Sequence, residues 1–525
     1  MFKIVFSTII FFILISCASK PTNLDELLRE NGLSNEEKIE LIFENDYLKE
    51  TDFSKEEIDW LADVYKSRDN EPIFCEDTLL TKKGEETYKT ISNSLCFGIP
   101  AKRLKMSKSP KTATLLQELY MCINLSRIMY DLNNGFFDFK TKKLKVNKLI
   151  SPAAFNIAIN LTESKTFDNL LLKQGPKDTN YRYLATNTYK FCKKYPQDST
   201  IFNLKNIEKE PMNGSSRLAK AMISKGYLLK EKITNQKVVE ALKVFQKDNG
   251  LSADGILNTN AIKALEESNV KKMLRAAISL DKIRQSKIHQ EKYVRINIPE
   301  YLLYFYSNNS LKSVHRIVVG KTSNQTPELT SKITRIVIYP YWNVPTSICR
   351  NEALPSIKKD VEYLNRNHYK IYNKEREEVD PTTVDWENTT TFPYALVQAP
   401  GSHNSLGVIK FEFLNSFNVY VHDTPSKSLF KKSVRNFSHG CMRCDKPVDL
   451  GKIIIENDKN GTSKSRFKAD SIDKMIKSKQ HRIIQLKTSI PIFVYYQTVV
   501  ADRNNIFFYL DIYARDEEYL KLLIL

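Results

Sequence analysis

The segment SHGCMR at residues 438–443 places a cysteine directly after a glycine and two residues after a histidine. A second histidine, His422, precedes Cys441 with eighteen residues between them. A free thiol has a pKa of about 8.5, so it is mostly protonated at neutral pH unless a base takes its proton or a positive field favours the anion. His422 or His439 could act as that base. These residues predict a thiolate nucleophile and therefore an enzyme.

Two neighbours of the cysteine suit the same chemistry. Gly440 has no Cβ, so backbone N–H groups beside it can approach a developing oxyanion. Arg443 could contribute part of the positive field. In the alternative interpretation Cys441 is a small buried residue and both histidines are structural, but the combined pattern favours the nucleophile. All seven histidines follow residue 280, so the titratable chemistry is concentrated in the C-terminal half.

Two other interpretations of the cysteine segment fit less well. Zinc ligation by His439, Cys441 and Cys444 is conceivable from the spacing, but a structural zinc site normally uses two separated ligand pairs, and the sequence offers no second pair. A thioredoxin-like C-x-x-C motif is expected near a βαβ pattern, whereas the flanks here predict antiparallel strands. We therefore expect neither a metal nor a cofactor.

At this point the chain resembles a known family. His422, the residues that follow it and the segment at 438–443 are similar to the signature of the L,D-transpeptidase (YkuD-type) catalytic domain of bacterial cell-wall enzymes. The similarity to large periplasmic members is strongest between residues 290 and 515. Three further segments that carry it are residues 339–348, 400–411 and 422–425.

The resemblance implies roles for individual residues. Cys441 would be the nucleophile and His422 the general base, which accepts and donates the proton. Four residues would shape the oxyanion site and hold the nucleophile loop: Ser438, His439, Gly440 and Arg443. Three residues would contact substrate: Trp342, Tyr420 and Asn404.

Cys444 departs from the family pattern, in which an aliphatic residue is usual at this position. It creates a C-x-x-C spacing with Cys441, and in an oxidising compartment the two thiols could form a disulfide that silences the nucleophile. We expect Cys444 to be a small buried residue, with the redox-regulated pair as the alternative.

The reaction implied by the resemblance is acyl transfer in two steps. Cys441 attacks the carbonyl between the third and fourth residues of a tetrapeptide stem of peptidoglycan and releases D-alanine. The amine of a diamino acid in a second stem then resolves the thioester and gives a 3→3 cross-link. A hydrolase on the same fold, acting as an L,D-carboxypeptidase or endopeptidase, and a non-catalytic anchor that binds peptidoglycan remain as alternatives.

The N-terminus predicts export. One lysine precedes an apolar run from Ile4 to Ile15, which is too short to span a membrane and has the layout of a signal peptide over residues 1–16. The residues before Cys17 resemble a bacterial lipobox, so Cys17 would carry a lipid anchor. Because Ala18 follows it, the resemblance implies a periplasmic lipoprotein of the outer membrane.

The formal net charge of +19 does not identify a partner by itself. The lysines are scattered and no nucleic-acid-binding motif accompanies them, so we expect no nucleic acid. A basic envelope protein would be attracted to the carboxylates of stem peptides and to anionic lipid. Besides Cys17 the chain has seven cysteines; Cys75 with Cys96, and Cys122 with Cys192, could pair, although spacing cannot assign connectivity.

The N-terminal half predicts a helical scaffold over residues 31–212. Ser34 and Ser54 precede acidic first turns and resemble N-caps, and apolar residues recur at helical spacing through 115–132 and 155–172. Residues 215–268 resemble the three-helix peptidoglycan-binding module, with Val238, Val239, Leu242 and Phe245 on one helical face. Whether this module binds glycan or is only architectural stays open.

Alternating apolar residues predict a mostly β catalytic domain over residues 292–517. The expected strands cover residues 293–298, 301–306, 314–319, 334–339, 408–413, 418–422, 483–486 and 492–498. Residues 350–395 interrupt this pattern with charged, helical sequence, as a capping insertion does in the large relatives, and would hold Trp342 near the entrance. The fold class is thus multidomain α+β.

Overall fold

The computed structural model describes residues 21, 23–105, 114–160, 167–207, 216–231, 233–286, 290–458 and 467–524. The predicted signal peptide and the lipidated Cys17 lie outside the described residues. The chain divides into two compact units: Met1–Lys193 with Ala276–Gln285 and Tyr519–Leu525, and Lys194–Arg275 with Ser286–Glu518. Among the described residues no helix is both long and apolar enough to cross a membrane.

The first unit is mainly helical, as the sequence predicts. Its helices up to residue 194 are α1 (Leu24–Arg29), α2 (Asn35–Glu44), α3 (Lys55–Lys66), α4 (Lys82–Ser92), α5 (Thr114–Asn134), α6 (Pro152–Asn160), α7 (Phe167–Leu172) and α8 (Thr179–Lys194). Ser34 and Ser54 both form capping boxes, with Glu37 and Glu57 returning the hydrogen bond, so both predicted N-caps are confirmed. Two short hairpins pair β1 (Cys75–Glu76) with β2 (Leu79–Leu80) and β3 (Phe137–Asp138) with β4 (Lys143–Leu144).

The disulfide of this unit joins Cys96 to Cys192, whose Cα atoms lie 5.3 Å apart. Both pairings suggested by the sequence are therefore wrong, and Cys75 and Cys122 are buried free thiols. The reason is tertiary: a disulfide requires a Cα separation of a few ångströms, which the folding of α8 against the segment around Cys96 decides and linear spacing does not.

The helices that follow residue 194 are α9 (Arg217–Ser224), α10 (Asn235–Asp248), α11 (Thr259–Glu266), α12 (Asn269–Arg284), α13 (Thr346–Ile348), α14 (Leu354–Lys359), α15 (Tyr363–Arg366), α16 (Pro447–Glu456), α17 (Ala469–Lys477) and α18 (Arg515–Ile524). Helices α9, α10 and α11 form a module with its own apolar core. Val238, Leu242 and Phe245 of α10 are fully buried in that core, which confirms three of the four residues of the predicted helical face, whereas Val239 is only half-buried.

The strands of the second unit are β5 (Tyr293–Asn297), β6 (Leu302–Ser307), β7 (Ser310–Gly320), β8 (Leu329–Ile338), β9 (Trp342–Asn343), β10 (Tyr369–Tyr372), β11 (Glu378–Val379), β12 (Ala395–Gln398), β13 (Ile409–Phe413), β14 (Val421–His422), β15 (Asn436–Ser438), β16 (Met442–Cys444), β17 (Arg482–Tyr495), β18 (Val499–Ala501) and β19 (Ile506–Phe508). Nine of them form one sheet in the order β15-β7-β16-β14-β13-β8-β17-β5-β6. The two segments predicted at 483–486 and 492–498 belong largely to one long strand, β17.

A second, four-stranded sheet occupies the region of the predicted insertion at 350–395 and extends beyond it on both sides, although only helical sequence was predicted there. Its order is β11-β10-β12-β9, and α13, α14 and α15 accompany it. These elements share a small apolar core of their own, built around Leu354, Ile371 and Trp386. We call this sheet with its helices, residues 342–398, the cap. A separate core lets the cap be a semi-independent part of the unit, which is what a closing element requires.

Candidate active site

The strands β14 and β16 bring His422 and the cysteine segment together. They pair in parallel, with Val421 opposite Met442 and His422 opposite Arg443, and the Met442 N–H donates to the Tyr420 carbonyl at 3.0 Å. Parallel neighbours need a crossover of about a dozen residues or more. The eighteen residues between His422 and Cys441 provide it. The predicted antiparallel flanks are thus wrong for this pair, although β16 does run antiparallel to β7.

Side chains along these two strands alternate between the apolar core and the opposite face of the sheet. Val421 and Met442 are buried in the apolar core of the nine-stranded sheet. Because successive side chains point to opposite faces of a strand, the residues on either side of them face the other way. From this alternation we infer that Tyr420 and Cys441, which directly precede the two strands, share the second face with His422 and Arg443.

His422 is held as a neutral imidazole. Its Nδ1 lies 2.5 Å from the Asp423 carbonyl oxygen, and since a carbonyl only accepts, Nδ1 carries the proton. Burial, with the positive charge of Arg443, lowers the pKa of His422 to about 3. The unprotonated Nε2 is therefore available as a proton acceptor at neutral pH.

Cys441 is half-buried, and its Sγ lies 3.9 Å from the Asn418 carbonyl oxygen. Burial raises the pKa of the Cys441 thiol, while the backbone N–H and hydroxyl of Tyr420 and the charges of Lys410 and Arg443 act in the opposite direction. The net direction is upward, so the resting side chain is a thiol, next to the strand that pairs with the strand of the neutral His422.

Tyr420 is the aromatic neighbour of the thiol. Its hydroxyl interacts with both Cys441 and Trp342, and burial raises the pKa of Tyr420, so the hydroxyl keeps its proton. Lys410 places its Nζ 4.1 Å from the centroid of the Tyr420 ring. The structure therefore places two of the predicted substrate contacts, Tyr420 and Trp342, next to each other and beside the nucleophile.

Hydrogen bonds from Ser438 shape the loop that carries the cysteine. The Ser438 hydroxyl donates to the Cys441 carbonyl at 2.5 Å and accepts from the Gly440 N–H at 3.1 Å. Gly440 has a φ of 113°, which side-chain-bearing residues rarely adopt, and no atom lies closer than 3.7 Å to a Cβ built there. Its backbone conformation, rather than lack of space, requires glycine here.

A second set of hydrogen bonds supports the loop that carries Cys441. The sequence did not predict these bonds. The Thr326 hydroxyl donates to the Gly440 carbonyl at 2.8 Å and accepts from the Gly320 N–H at 2.9 Å. Tyr513 donates from its hydroxyl to the Gly320 carbonyl at 2.5 Å and accepts from the Thr326 N–H at 3.2 Å. These residues come from distant parts of the chain, so no local motif marks them.

His439 points away from the base on β14 and toward the cap. Its Nε2 lies 2.5 Å from Glu352 Oε1 and 3.4 Å from the Lys321 Nζ. The structure thus separates the two candidate bases that the sequence left open: His422 shares the face of Cys441, whereas His439 joins the nucleophile loop to Glu352.

Asn404 is fully buried within the loop before β13. Its amide nitrogen donates to the carbonyls of Gln398, Ala399 and Pro340 at 3.2, 2.9 and 3.1 Å, and its carbonyl oxygen accepts from the Leu406 N–H at 2.8 Å. All of its polar atoms are engaged in ordering this loop. The direct substrate contact predicted from the sequence would therefore require the loop to open.

Cys444 lies on the core face with Met442, opposite to Cys441, and is fully buried. Both thiols are free in the structure. The expectation of a small buried residue is confirmed for Cys444. Within the part of the chain that is described, no group of three or more His, Cys, Asp or Glu side chains is arranged to hold a metal ion.

Comparison with protein families agrees with this geometry. Residues 291–456 match the L,D-transpeptidase catalytic domain of the YkuD family, and residues 217–265 match a family described as a candidate peptidoglycan-binding domain. The chain therefore contains a YkuD-type L,D-transpeptidase catalytic domain and a peptidoglycan-binding-type module, which confirms the resemblance.

Part of the chain is also similar to individual proteins. A candidate L,D-transpeptidase of Haemophilus influenzae is 33% identical over 224 residues, which is 42% of this chain and 44% of that protein. The match thus spans less than half the length of this curated relative. A solved L,D-transpeptidase (Yku) structure from Stackebrandtia nassauensis shares 11% identity and covers 57% of this chain and 96% of its own, with a TM-score of 0.17, so no argument rests on it.

Proposed function

We propose that this protein is a cysteine L,D-transpeptidase that forms 3→3 cross-links in peptidoglycan with release of D-alanine. The observation that supports the proposal is the parallel pairing of β14 and β16, which brings the strand of the neutral His422 beside the strand that the half-buried Cys441 directly precedes. The matched catalytic domain and peptidoglycan-binding-type module support the same substrate class.

The first step is acylation of the thiol. As Sγ of Cys441 attacks the carbonyl carbon before the terminal D-alanine, Nε2 of His422 takes the thiol proton. The C–N bond then breaks, the proton passes from His422 to the departing amine, and D-alanine leaves. Because the pKa of His422 lies far below that of the thiol, proton transfer accompanies bond formation instead of preceding it.

Negative charge that develops during this step meets a positive environment. Arg443 lies opposite His422 on β16, and burial lowers the pKa of its guanidinium, although Arg443 remains charged at neutral pH. Lys410 adds a second positive charge. Ser438 and Gly440 set the backbone of the loop so that its N–H groups can approach an oxyanion.

The second step transfers the acyl group to an amine. The nitrogen of a diamino acid in another stem attacks the thioester carbon, the C–S bond breaks, and His422 returns a proton from the nitrogen to sulfur. The products are the new amide and the free thiol, with no cofactor consumed. If water takes the place of the amine, the product is the tripeptide.

We also propose a cell-envelope location and a domain organisation that rest on the sequence. A lipoprotein signal peptide over residues 1–16 would lead to lipidation of Cys17 and an outer-membrane anchor in the periplasm. A helical scaffold over 31–212, the module over 215–268 and the catalytic domain over 292–517, with its capping insertion at 350–395, would follow in order. The module would keep the enzyme near its polymeric substrate.

Product analysis tests the proposal. The protein is incubated with a disaccharide tetrapeptide, and the masses of the products are measured by mass spectrometry. The Cys441→Ala variant, treated in the same way, is the control. Loss of D-alanine together with a 3→3 dimer in the wild type alone supports a transpeptidase. Tripeptide without dimer would indicate a hydrolase instead of a transpeptidase. A tetrapeptide that stays unchanged under reducing conditions would contradict the proposal that the protein is an enzyme.

A further inference from the structure

Glu352 of the cap owes its position to an irregular helix. Residues Cys349–Ala353 form a π-helical turn between α13 and α14, in which the Leu354 N–H donates to the Cys349 carbonyl five residues back. Pro355 follows directly and lacks the N–H that a regular helix would use at this point. Such π-turns are frequent at functional sites. Here the turn directs Glu352 toward the nucleophile loop.

The carboxylate of Glu352 contacts the loop of Cys441 through His439. Glu352 Oε1 lies 2.5 Å from His439 Nε2. The Glu352 side chain keeps 46% of its accessible surface. Within the described residues no lysine or arginine forms an ion pair with Glu352, although Lys321 approaches the other partner, His439. A negative charge is therefore presented to solvent at the edge of the site without a permanent cation.

Three aromatic residues of the cap contact one another within the electrostatic range of this carboxylate. Tyr363 and Tyr369 lie with ring centroids 6.0 Å apart, and Trp342 lies 6.2 Å from Tyr369. Burial raises the pKa of both tyrosines, and the charge of Glu352 adds to each shift. Trp342 in turn contacts the hydroxyl of Tyr420, which interacts with Cys441.

A carboxylate beside aromatic faces is an environment that favours an organic ammonium ion, through charge and through cation–π attraction. The other side of the site has the opposite character. Lys410, which also pairs with Glu412 at 2.9 Å, and Arg443 add positive charge near the thiol, which suits the carboxylates of an acyl donor and repels an ammonium group. The two sides differ in the charge that they favour.

We propose that Glu352, with the rings of Tyr363, Tyr369 and Trp342, binds the ammonium group of the amine acceptor, and that Glu352 and His439 take the proton which this group must lose. This inference rests on the proposed transpeptidase function. The acceptor arrives as R–NH3⁺, gives one proton to the Glu352–His439 pair, and attacks the thioester as R–NH2. The second proton travels through His422 to sulfur, and the first is released to solvent.

Binding to an inactive protein tests this site without chemistry. In the Cys441→Ala background, calorimetry compares a stem tripeptide that carries a free side-chain amine with the same peptide acetylated on that amine. The free amine is expected to bind about tenfold more tightly, the size of one charge-assisted contact, and Glu352→Gln should abolish this preference. An equal preference with and without the carboxylate overturns the proposal, whatever reaction the enzyme performs.

Partition between the two products tests the same site during turnover. Glu352→Gln is expected to lower the ratio of 3→3 dimer to tripeptide about tenfold. Glu378→Gln is the matched control, because Glu378 also belongs to the cap but pairs with Lys370 at 2.8 Å. An unchanged ratio in Glu352→Gln overturns the inference. So does an equal fall in D-alanine release and dimer, because Glu352 would then only hold the nucleophile loop.

These measurements separate the inference from the function on which it rests. If the wild type releases no D-alanine and forms no dimer, the proposed function fails, and the binding comparison still decides whether Glu352 selects an ammonium group. If the wild type forms dimer and the preference for the free amine does not depend on Glu352, only the inference fails.

Discussion

Cys441 and Cys444 differ in burial although only two residues separate them: Cys444 is fully buried within β16, whereas Cys441, directly before β16, is half-buried. Cys444 packs with Met442 in the apolar core, whereas Cys441 faces Tyr420 on the side of the site. Side-chain alternation along the strand produces this result, because positions three apart face in opposite directions. A disulfide between the two thiols would require the extended backbone of β16 to change its conformation.

Cys444→Ala is therefore expected to leave the response of the enzyme to oxidants unchanged. The variant should lose about 1 kcal/mol of stability, because a fully buried sulfur is removed from the core. Intact mass after mild oxidation provides the readout. Loss of two hydrogens in the wild type, mapped to a Cys441–Cys444 bond and absent in the variant, would revive the redox-regulated pair.

Tyr420→Phe is expected to make the thiol less acidic. The Tyr420 hydroxyl lowers the pKa of Cys441, so its removal should move the pH profile of thiol alkylation by iodoacetamide to higher pH. Tyr341→Phe is a suitable control, because Tyr341 is 53% exposed and its ring meets that of His481 edge to face. Coincident profiles for Tyr420→Phe and wild type would contradict the assigned contact.

Thr326→Val tests the support beneath the nucleophile loop. The substitution keeps the volume but removes the hydroxyl that joins the Gly440 carbonyl to the Gly320 N–H. We expect a loss of about 1–3 kcal/mol in the free energy of unfolding and a lower kcat with little change in KM. Thr330→Val, at an exposed position of β8, should change neither quantity. A wild-type kcat in Thr326→Val would show that the loop does not depend on this bridge.

Lys272 gives a stability prediction with a definite pH dependence. Its ammonium group is fully buried over the rings of Phe245 and Phe508, at 4.4 and 5.6 Å, and finds no hydrogen-bond partner in the described structure. Burial lowers the pKa of Lys272 to about 7. The unfolded chain then binds more protons than the folded one between pH 7 and about 10.5, so this group makes stability rise with pH across that window.

Lys272→Met should consequently stabilise the protein most at pH 7 and below, by about 2 kcal/mol, because the cost of a buried cation is removed. The advantage should shrink toward pH 10, where the lysine is neutral in both states. Thermal unfolding of both proteins at pH 6, 8 and 10 provides the comparison. A Met variant that is less stable at pH 6 would mean that attraction to the rings outweighs desolvation.

Local rules predicted much of this fold. The capping boxes at Ser34 and Ser54 and the buried face of α10 follow from patterns within one turn or one helix, where side chains meet neighbours three or four residues away. The segment at 438–443 was also selected by a local rule, because the chemistry of a thiolate restricts the residue types beside it, and its catalytic role stays a prediction. These features depend on short stretches of sequence.

Features that depend on distant contacts were not predicted. The pairing of Cys96 with Cys192, the bridge from Thr326 to the nucleophile loop and the approach of Glu352 to His439 each join segments that are far apart in the chain. The parallel pairing of His422 with Arg443 also escaped, since a short strand gives no sign of its neighbour's direction. The spacing of eighteen residues was the available signal, because it is long enough for a crossover.

The most direct test of the central claim is to trap the acyl-enzyme. The protein is mixed with a disaccharide tetrapeptide, quenched in acid within the first turnover, and mapped by peptide mass spectrometry. The account predicts a thioester on Cys441 with the mass of the stem less D-alanine, formed much more slowly in His422→Ala and absent in Cys441→Ala. An adduct on another residue, or D-alanine release that survives in Cys441→Ala, would contradict it.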